Sequence, residues 1–250
     1  METIGDDLIV LAVRPNGKLG VAAKLRFGLA GSELVRLAAA RRVDVVRGRI
    51  AVLDATPTGD ELLDAALDSM RGRRRQPTAK DWVARSRAGL VDAYLNRLAA
   101  AGTIRAERRL VLGAFPATRW VIADTARLDE ARARLDAIAL GSGEVDAAQA
   151  ALGGLAEAIG LAALVYPGFA GRAARGNLKK AGKRQPASAV ADAGDAAVRA
   201  AASAAVDASI RAATDAAVAA SVDAATHAAV SAAHHGATGH AGGGGGGGHH

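Results

Sequence analysis

The composition of this 250-residue chain breaks at Pro186, and the break limits what can fold. Beyond it the sequence is about two-fifths alanine, a strong helix former that buries little. Val206, Ile210 and Thr214 are repeated twelve residues later as Val218, Val222 and Thr226. A 12-residue step rotates each copy by about 120° around an ideal helix, so the branched side chains wind around it and build no continuous seam. The chain closes on a glycine run, Gly242 to Gly248, before His249 and His250. Such low-complexity sequence is expected to be disordered. A core must therefore come from the first 185 residues or so, completed at most by a docked helix to about residue 215. The expected organisation is one domain over 1–215 and an Ala-rich, then Gly/His tail over 216–250.

Within that domain, apolar positions recur mostly at the helical period. Leu25, Leu29, Leu34, Val35 and Leu37 define a helix within 24–41, and Leu62, Leu63, Ala66, Leu67 and Met70 define one over 61–70. Trp82, Leu90, Tyr94, Leu95 and Leu98 predict a helix over 79–101, ended by Gly102. Two more follow at about 125–140 and 146–165. The apolar run from Leu8 to Val13, stopped by Arg14-Pro15-Asn16-Gly17, reads equally as helix or strand. Two segments switch to a β pattern. The first, Val43 to Val46 and Arg49 to Leu53, turns at Gly48; the second turns around Phe115 to Thr118, with Phe115 and Trp120 expected near its tip. The fold class is mainly α: a single globular helical domain with two small β-hairpins.

Composition excludes several chemistries. There is no cysteine, and all six histidines lie beyond residue 226. The folded part therefore has no thiol nucleophile, Ser/His/Asp triad or Cys/His metal centre, and no metal or cofactor is expected. Outside the terminal glycine run no GxGxxG segment occurs, and no GxxxxGK[ST] or GxSxG segment occurs. General acid–base work would fall to carboxylates, with Asp6/Asp7, Asp60/Glu61/Asp64 and Asp129/Glu130 as candidate pairs. Asp60 follows a Pro-Thr-Gly turn, where a helix N-cap belongs, and Asp64 sits in the first turn that the macrodipole makes favourable for acids.

Charge points outward. Residues 1–185 carry 30 basic against 20 acidic side chains, while residues 186–250 carry 2 against 5. A basic domain attracts polyanions, either nucleic acid or an anionic membrane. Its clusters are Arg71, Arg73, Arg74 and Arg75 in a loop, Lys179, Lys180, Lys183 and Arg184 in a linker, and Arg105, Arg108 and Arg109 before the second hairpin. Only seven aromatic residues exist, few for interleaving with bases. No apolar run approaches the ~20 residues of a membrane span. The acidic opening, with Glu2, Asp6 and Asp7, lacks a signal-peptide pattern, so a cytoplasmic location is expected.

The segment Pro57-Thr58-Gly59-Asp60-Glu61-Leu62-Leu63-Asp64-Ala65-Ala66-Leu67 resembles the Pro-Thr-Gly-Asp-x-Leu-Leu-Asp-x-Ala-Leu segment of the Golgi phosphoprotein 3 family. The likeness extends upstream through Asp7 to Ala12 and Leu29 to Ala38. Downstream it takes in Asp81-Trp82-Val83, Ala101 to Ile104 and Leu112 to Pro116, and it is most like the bacterial branch. The resemblance implies a mainly α domain and a non-enzymatic peripheral membrane adaptor that binds phosphatidylinositol 4-phosphate or another anionic lipid head group. The family's lipid-pocket Trp aligns with Val21, and its three Arg align with Ala30 and fall near Ala88 and Val91. Arg26, Arg85 and Arg87 stand within about a helical turn of those positions and form a displaced candidate anion site. The resemblance also implies membrane contact or self-association through the second hairpin, with Phe115 and Trp120 as its aromatic residues, and a place on the inner face of the membrane. The alternative is a basic helical module that binds nucleic acid.

Overall fold

The run from Leu8 to Val13 is helical. In a computed structural model, which describes residues 3–47, 49–71, 75–111, 115–141, 145–182, 204, 206 and 207, it belongs to α1 (Ile4–Ala12). Thr3 caps this helix: its hydroxyl oxygen accepts from the Asp6 N–H at 3.2 Å. Every residue from Gly5 to Ala12 is buried, so α1 is an axis that the other helices enclose, and apolar residues on all its faces are what such a position requires. A Cβ on Gly5 would fall 2.4 Å from the Tyr94 ring, so only glycine lets that ring lie against α1.

Helix α2 (Ala22–Ala39) packs beside α1, and the first hairpin follows it, β1 (Val43–Val46) against β2 (Arg49–Val52), with Val43 opposite Val52. Gly48, where the sequence places the turn, is outside the described residues. Then come α3 (Glu61–Met70), α4 (Ala79–Ala84) and α5 (Leu90–Ala100). The single helix expected over 79–101 is thus two. Gly89 takes φ +73°, a conformation closed to most other residues, and breaks it. Helix α5 ends in a Schellman motif, with Gly102 N–H donating to Ala99 O and Thr103 N–H to Leu98 O.

The second hairpin is longer than its sequence pattern. Strands β3 (Ile104–Val111) and β4 (Phe115–Ile122) pair in register from Ile104 opposite Ile122 to Val111 opposite Phe115. Phe115 to Thr118 are therefore strand and not turn, and Arg105, Arg108 and Arg109 lie within β3 and not before it. Trp120 is not at the tip: it pairs with Ala106, two rungs from the base, and its N–H donates to Gly17 O at 2.9 Å. Phe115 does occupy the last rung before the turn; its side chain is outside the described residues.

The chain ends its described course in α6 (Thr125–Leu140), α7 (Ala147–Ala158), α8 (Leu161–Val165) and α9 (Arg172–Ala181). The helix expected over 146–165 is interrupted at Gly160, which takes φ +81°. Lys179 and Lys180 belong to the last turn of α9 and not to a linker, and Lys183, Arg184, Arg73 and Arg74 are outside the described residues. Val206 is helical and buried, its side chain against Gly154 of α7. The boundary at 215 and the 216–250 tail fall outside the described residues. The architecture is mainly helical with two antiparallel hairpins, as expected.

Burying α1 buries Asp6 and Asp7 with it. Arg134 of α6 grips Asp7 with two hydrogen bonds of 3.0 Å, and Arg127 donates to the same carboxylate. Arg97 of α5 donates to Asp6. Asp7 is only 6% exposed and holds two arginines of α6, so removing its carboxylate breaks a buried ion-pair network. Such a loss costs ~3–5 kcal/mol. Asp7→Ala is expected to lower the unfolding free energy by that amount in chemical denaturation, while Asp129→Ala on the exposed face of α6 shifts it by no more than ~0.5 kcal/mol.

Candidate functional site

The Pro-Thr-Gly-Asp segment is a joint between helices. The Asp60 carboxylate accepts from the N–H groups of Leu62 at 3.0 Å and Leu63 at 3.3 Å and so caps α3. The same carboxylate receives Arg36 of α2 at 2.7 Å and Arg97 of α5 at 3.3 Å. Partial burial opposes ionisation of Asp60, but the Arg36 hydrogen bond and charge, the Leu63 N–H and Arg97 outweigh it and hold its pKa below the usual carboxylate range. Asp64 accepts from the Thr58 N–H at 2.6 Å and the Thr58 hydroxyl at 2.7 Å, which folds the turn onto the helix. The two carboxylates therefore hold structure together. Neither lines the cavity described next, the place where an acid pair would have to converge.

That cavity, of about 390 Å³, opens where β2, the start of α4 and the α4–α5 loop meet α2. Backbone pairing builds one wall. Ile50 N–H donates to Pro77 O at 3.0 Å, Arg49 and Thr78 form an isolated bridge, and the Arg49 guanidinium donates to Gln76 O at 3.1 Å. Arg75 lies at the head of the same segment and also lines the cavity. Thr78 caps α4 by accepting from Asp81 N–H, and Trp82 fills the side of the cavity with its indole N–H donating to Ser69 Oγ at 3.2 Å.

The break between α4 and α5 delivers the remaining cations. Arg85 ends α4 and is exposed, whereas Arg87 turns inward. Its guanidinium donates to Glu33 of α2 at 2.6 Å and to Leu62 O at 3.1 Å. Ser86, between them, lines the cavity with a buried hydroxyl that has no hydrogen-bond partner among the described residues. Glu33 is 1% exposed. Burial pushes its pKa up to about 7, against the opposing charge and hydrogen bond of Arg87.

Of the three arginines singled out from the sequence, the structure brings Arg85 and Arg87 to one cavity. Arg26 is not among its lining residues; it is exposed, with its guanidinium 4.7 Å from the centre of the Phe27 ring. Of the four positions that the resemblance sets against the family's lipid pocket, Ala30 lines the cavity, and Val21, Ala88 and Val91 do not. Sequence reasoning missed Arg49, Gln76, Thr78 and the cavity-facing side of Trp82 as parts of a site. Arg75 was visible as part of an arginine cluster, but nothing local joins Arg49 to it, because their meeting depends on β2 pairing with residues 77 and 78.

Four arginines, Arg49, Arg75, Arg85 and Arg87, line this cavity of a mainly helical protein together with two acids, Glu33 and Asp81. Residues 4–205 match the model of the Golgi phosphoprotein 3 (GPP34) family, and the chain belongs to that family. No curated protein matches the chain. The family is of non-enzymatic, adaptor type. Among the described residues no helix is long and apolar enough to cross a membrane, and no group of His, Asp and Glu is placed to hold a metal ion.

The raised Glu33 pKa has a consequence for stability. Between pH 4.5, its ordinary value, and about 7 the folded state keeps a proton that the unfolded chain releases, so this residue makes stability fall as pH rises. Relative to Glu33→Gln, the wild-type protein is expected to lose ~3 kcal/mol of unfolding free energy across that interval, since each tenfold drop in proton concentration there costs ~1.4 kcal/mol. Urea denaturation of both proteins from pH 4.5 to 7.5 measures it, and parallel curves would count against a buried Glu33 carboxylate.

Proposed function

We propose that this protein is a non-enzymatic adaptor that sits on the cytoplasmic face of a membrane by holding the phosphate-bearing head group of an anionic lipid in the arginine-lined cavity. The observation that carries the reading is the convergence of Arg49, Arg75, Arg85 and Arg87 on a cavity of about 390 Å³ beside Trp82. That volume lies within the ~300–1,000 Å³ of small-ligand sites. Guanidinium groups donate paired N–H bonds that suit phosphate oxygens, and Arg87 is already oriented by Glu33 and Leu62 O. Membership of the Golgi phosphoprotein 3 family supports a lipid-binding adaptor, with phosphatidylinositol 4-phosphate as the first head group to test.

The site differs from the family pattern in its donors. On the alignment that the resemblance implies, Ala30 replaces an arginine at a cavity-lining position, and in this reading Arg85 and Arg87, from the end of α4 and the loop after it, supply the positive charge instead. Self-association or membrane contact through the second hairpin belongs to the same proposal, with Phe115 at its outermost rung and half-buried Trp120 near its base.

Co-sedimentation of the full chain with phosphatidylcholine vesicles, alone or with phosphatidylinositol 4-phosphate, phosphatidylinositol or cardiolipin, tests the reading at low and physiological salt. Binding to one head group should persist at physiological salt and weaken by about tenfold or more in Arg85→Ala, the cost of one charge-assisted contact. Binding to every anionic lipid that disappears with salt would reduce the cavity to general electrostatics. Indifference to lipid combined with steeply salt-dependent DNA binding would favour a nucleic-acid module.

A further inference from the structure

Phe169 is 84% exposed, the most exposed large apolar side chain among the described residues. It stands at the tip of the loop between α8 and α9, after Pro167 and Gly168, and the loop is held firmly from beneath. The Arg175 guanidinium donates to Gly168 O at 3.1 Å and also to Tyr166 O. The Tyr166 hydroxyl donates to Asp136, and Arg132 donates to Val165 O at 3.3 Å and lies 4.9 Å from the Tyr166 ring centre. The exposed phenyl ring is therefore presented on a preorganised support, which spares the ordering cost of a contact made there.

Basic charge surrounds it. Between Glu157 and Asp192 the sequence has no Asp or Glu but six Lys or Arg. Four of them lie on α9, which starts three residues after Phe169. Arg172, 5.8 Å from the centre of the Phe169 ring, Arg175 and Lys179 fall on one face of that helix by the 3.6-residue period, and Lys180 is exposed beside them. The nearby acid, Asp136 of α6, is engaged by Tyr166 and Arg132. A second exposed apolar residue, Leu140 at 75%, ends α6 next to Ala139, whose carbonyl accepts from Asn177 of α9.

We infer that the α8–α9 loop and α9 form a membrane contact, in which Phe169 inserts among the acyl chains of an anionic bilayer while Arg172, Lys179 and Lys180 meet the lipid phosphates. A lone ring on a rigid tip suits a bilayer, which accepts an apolar side chain without a shaped pocket. A protein partner needs an extended complementary face of about 800 Å² per side, and two separated side chains do not supply one. Nucleic acid would stack successive bases on several exposed rings, and among the described residues Phe169 is the one aromatic side chain that is exposed. Burial of one phenyl group and attraction of three cations near an anionic surface each strengthen binding by about tenfold or more. None of these residues lines the cavity, so the contact shares with the proposed function only the premise of an anionic bilayer.

The absence of cysteine makes Phe169→Cys a unique labelling position for an environment-sensitive fluorophore. With the full chain and phosphatidylcholine vesicles containing phosphatidylglycerol, the label should shift to the blue and brighten. Unlabelled Phe169→Ala should bind those vesicles about tenfold more weakly, Phe169→Leu should retain most of the affinity, and Arg172→Glu with Lys179→Glu should abolish binding at physiological salt. A label that keeps its water-like emission while the protein pellets with the vesicles overturns the inference. So does the absence of binding to phosphatidylglycerol vesicles, or a charge-reversal variant that loses affinity for duplex DNA but not for vesicles. Failure to bind the soluble head group inositol 1,4-bisphosphate would overturn phosphatidylinositol 4-phosphate as the cavity's ligand and leave this contact untouched.

Discussion

The rest of the structure depends on charged groups carried into the core by α1. A helix buried on every face provides hydrophobic area in all directions, but its first turn brings Asp6 and Asp7 out of water. Each is met by arginine from another helix, Asp6 by Arg97 of α5 and Asp7 by Arg127 and Arg134 of α6. Both acids also lie at the positive end of the helix dipole. Arg97 continues from Asp6 to Asp60, the cap of α3, where Arg36 of α2 arrives as well. One connected set of ion pairs therefore fixes α1, α2, α3 and α5 relative to one another. The attraction of charges so paired is spent largely on their desolvation, so breaking a pair costs far more than the intact pair adds.

This divides the arginines of a basic protein into two populations. Arg36, Arg97, Arg127 and Arg134 neutralise acids inside and offer little to a partner. Arg85 at the cavity, and Arg172, Lys179 and Lys180 along α9, face solvent. The excess of basic over acidic residues in the first 185 positions is thus concentrated in its effect, because the paired arginines are already balanced. Arg87 belongs to both populations: it is tied to buried Glu33 and lines the cavity. An anion entering there would add negative potential beside a carboxylate whose pKa is already about 7, so occupancy and protonation of Glu33 favour each other.

Helix periodicity, caps and turns were legible locally. The α3 boundaries, Asp60 as its cap and Gly102 beyond α5 follow from residue types within a few positions of each other. Gly89 and Gly160 were harder to read, because a glycine within an apolar-periodic run is compatible with an uninterrupted helix, and only packing selects the positive φ that breaks it. The second hairpin ran beyond its β-rich segments for a related reason: once Ile104 pairs with Ile122, the ladder carries Ala106, Arg108 and Arg109 into strand whatever their propensities.

The sequence by itself determined the mainly helical class, the two hairpins, the exclusion of thiol and imidazole chemistry from the domain, and the family through its Pro-Thr-Gly-Asp segment. Those properties reside in composition or in neighbouring residues. Tertiary structure alone decided which arginines are available. Arg49 lines the same cavity as Arg85 because β2 pairs with the segment before α4, Arg87 turns inward because Glu33 waits on α2, and Phe169 stays outside because Arg175 holds its loop by two carbonyls. Side chains of one type differ in role here because their partners lie many residues away, and no local pattern encodes that distance.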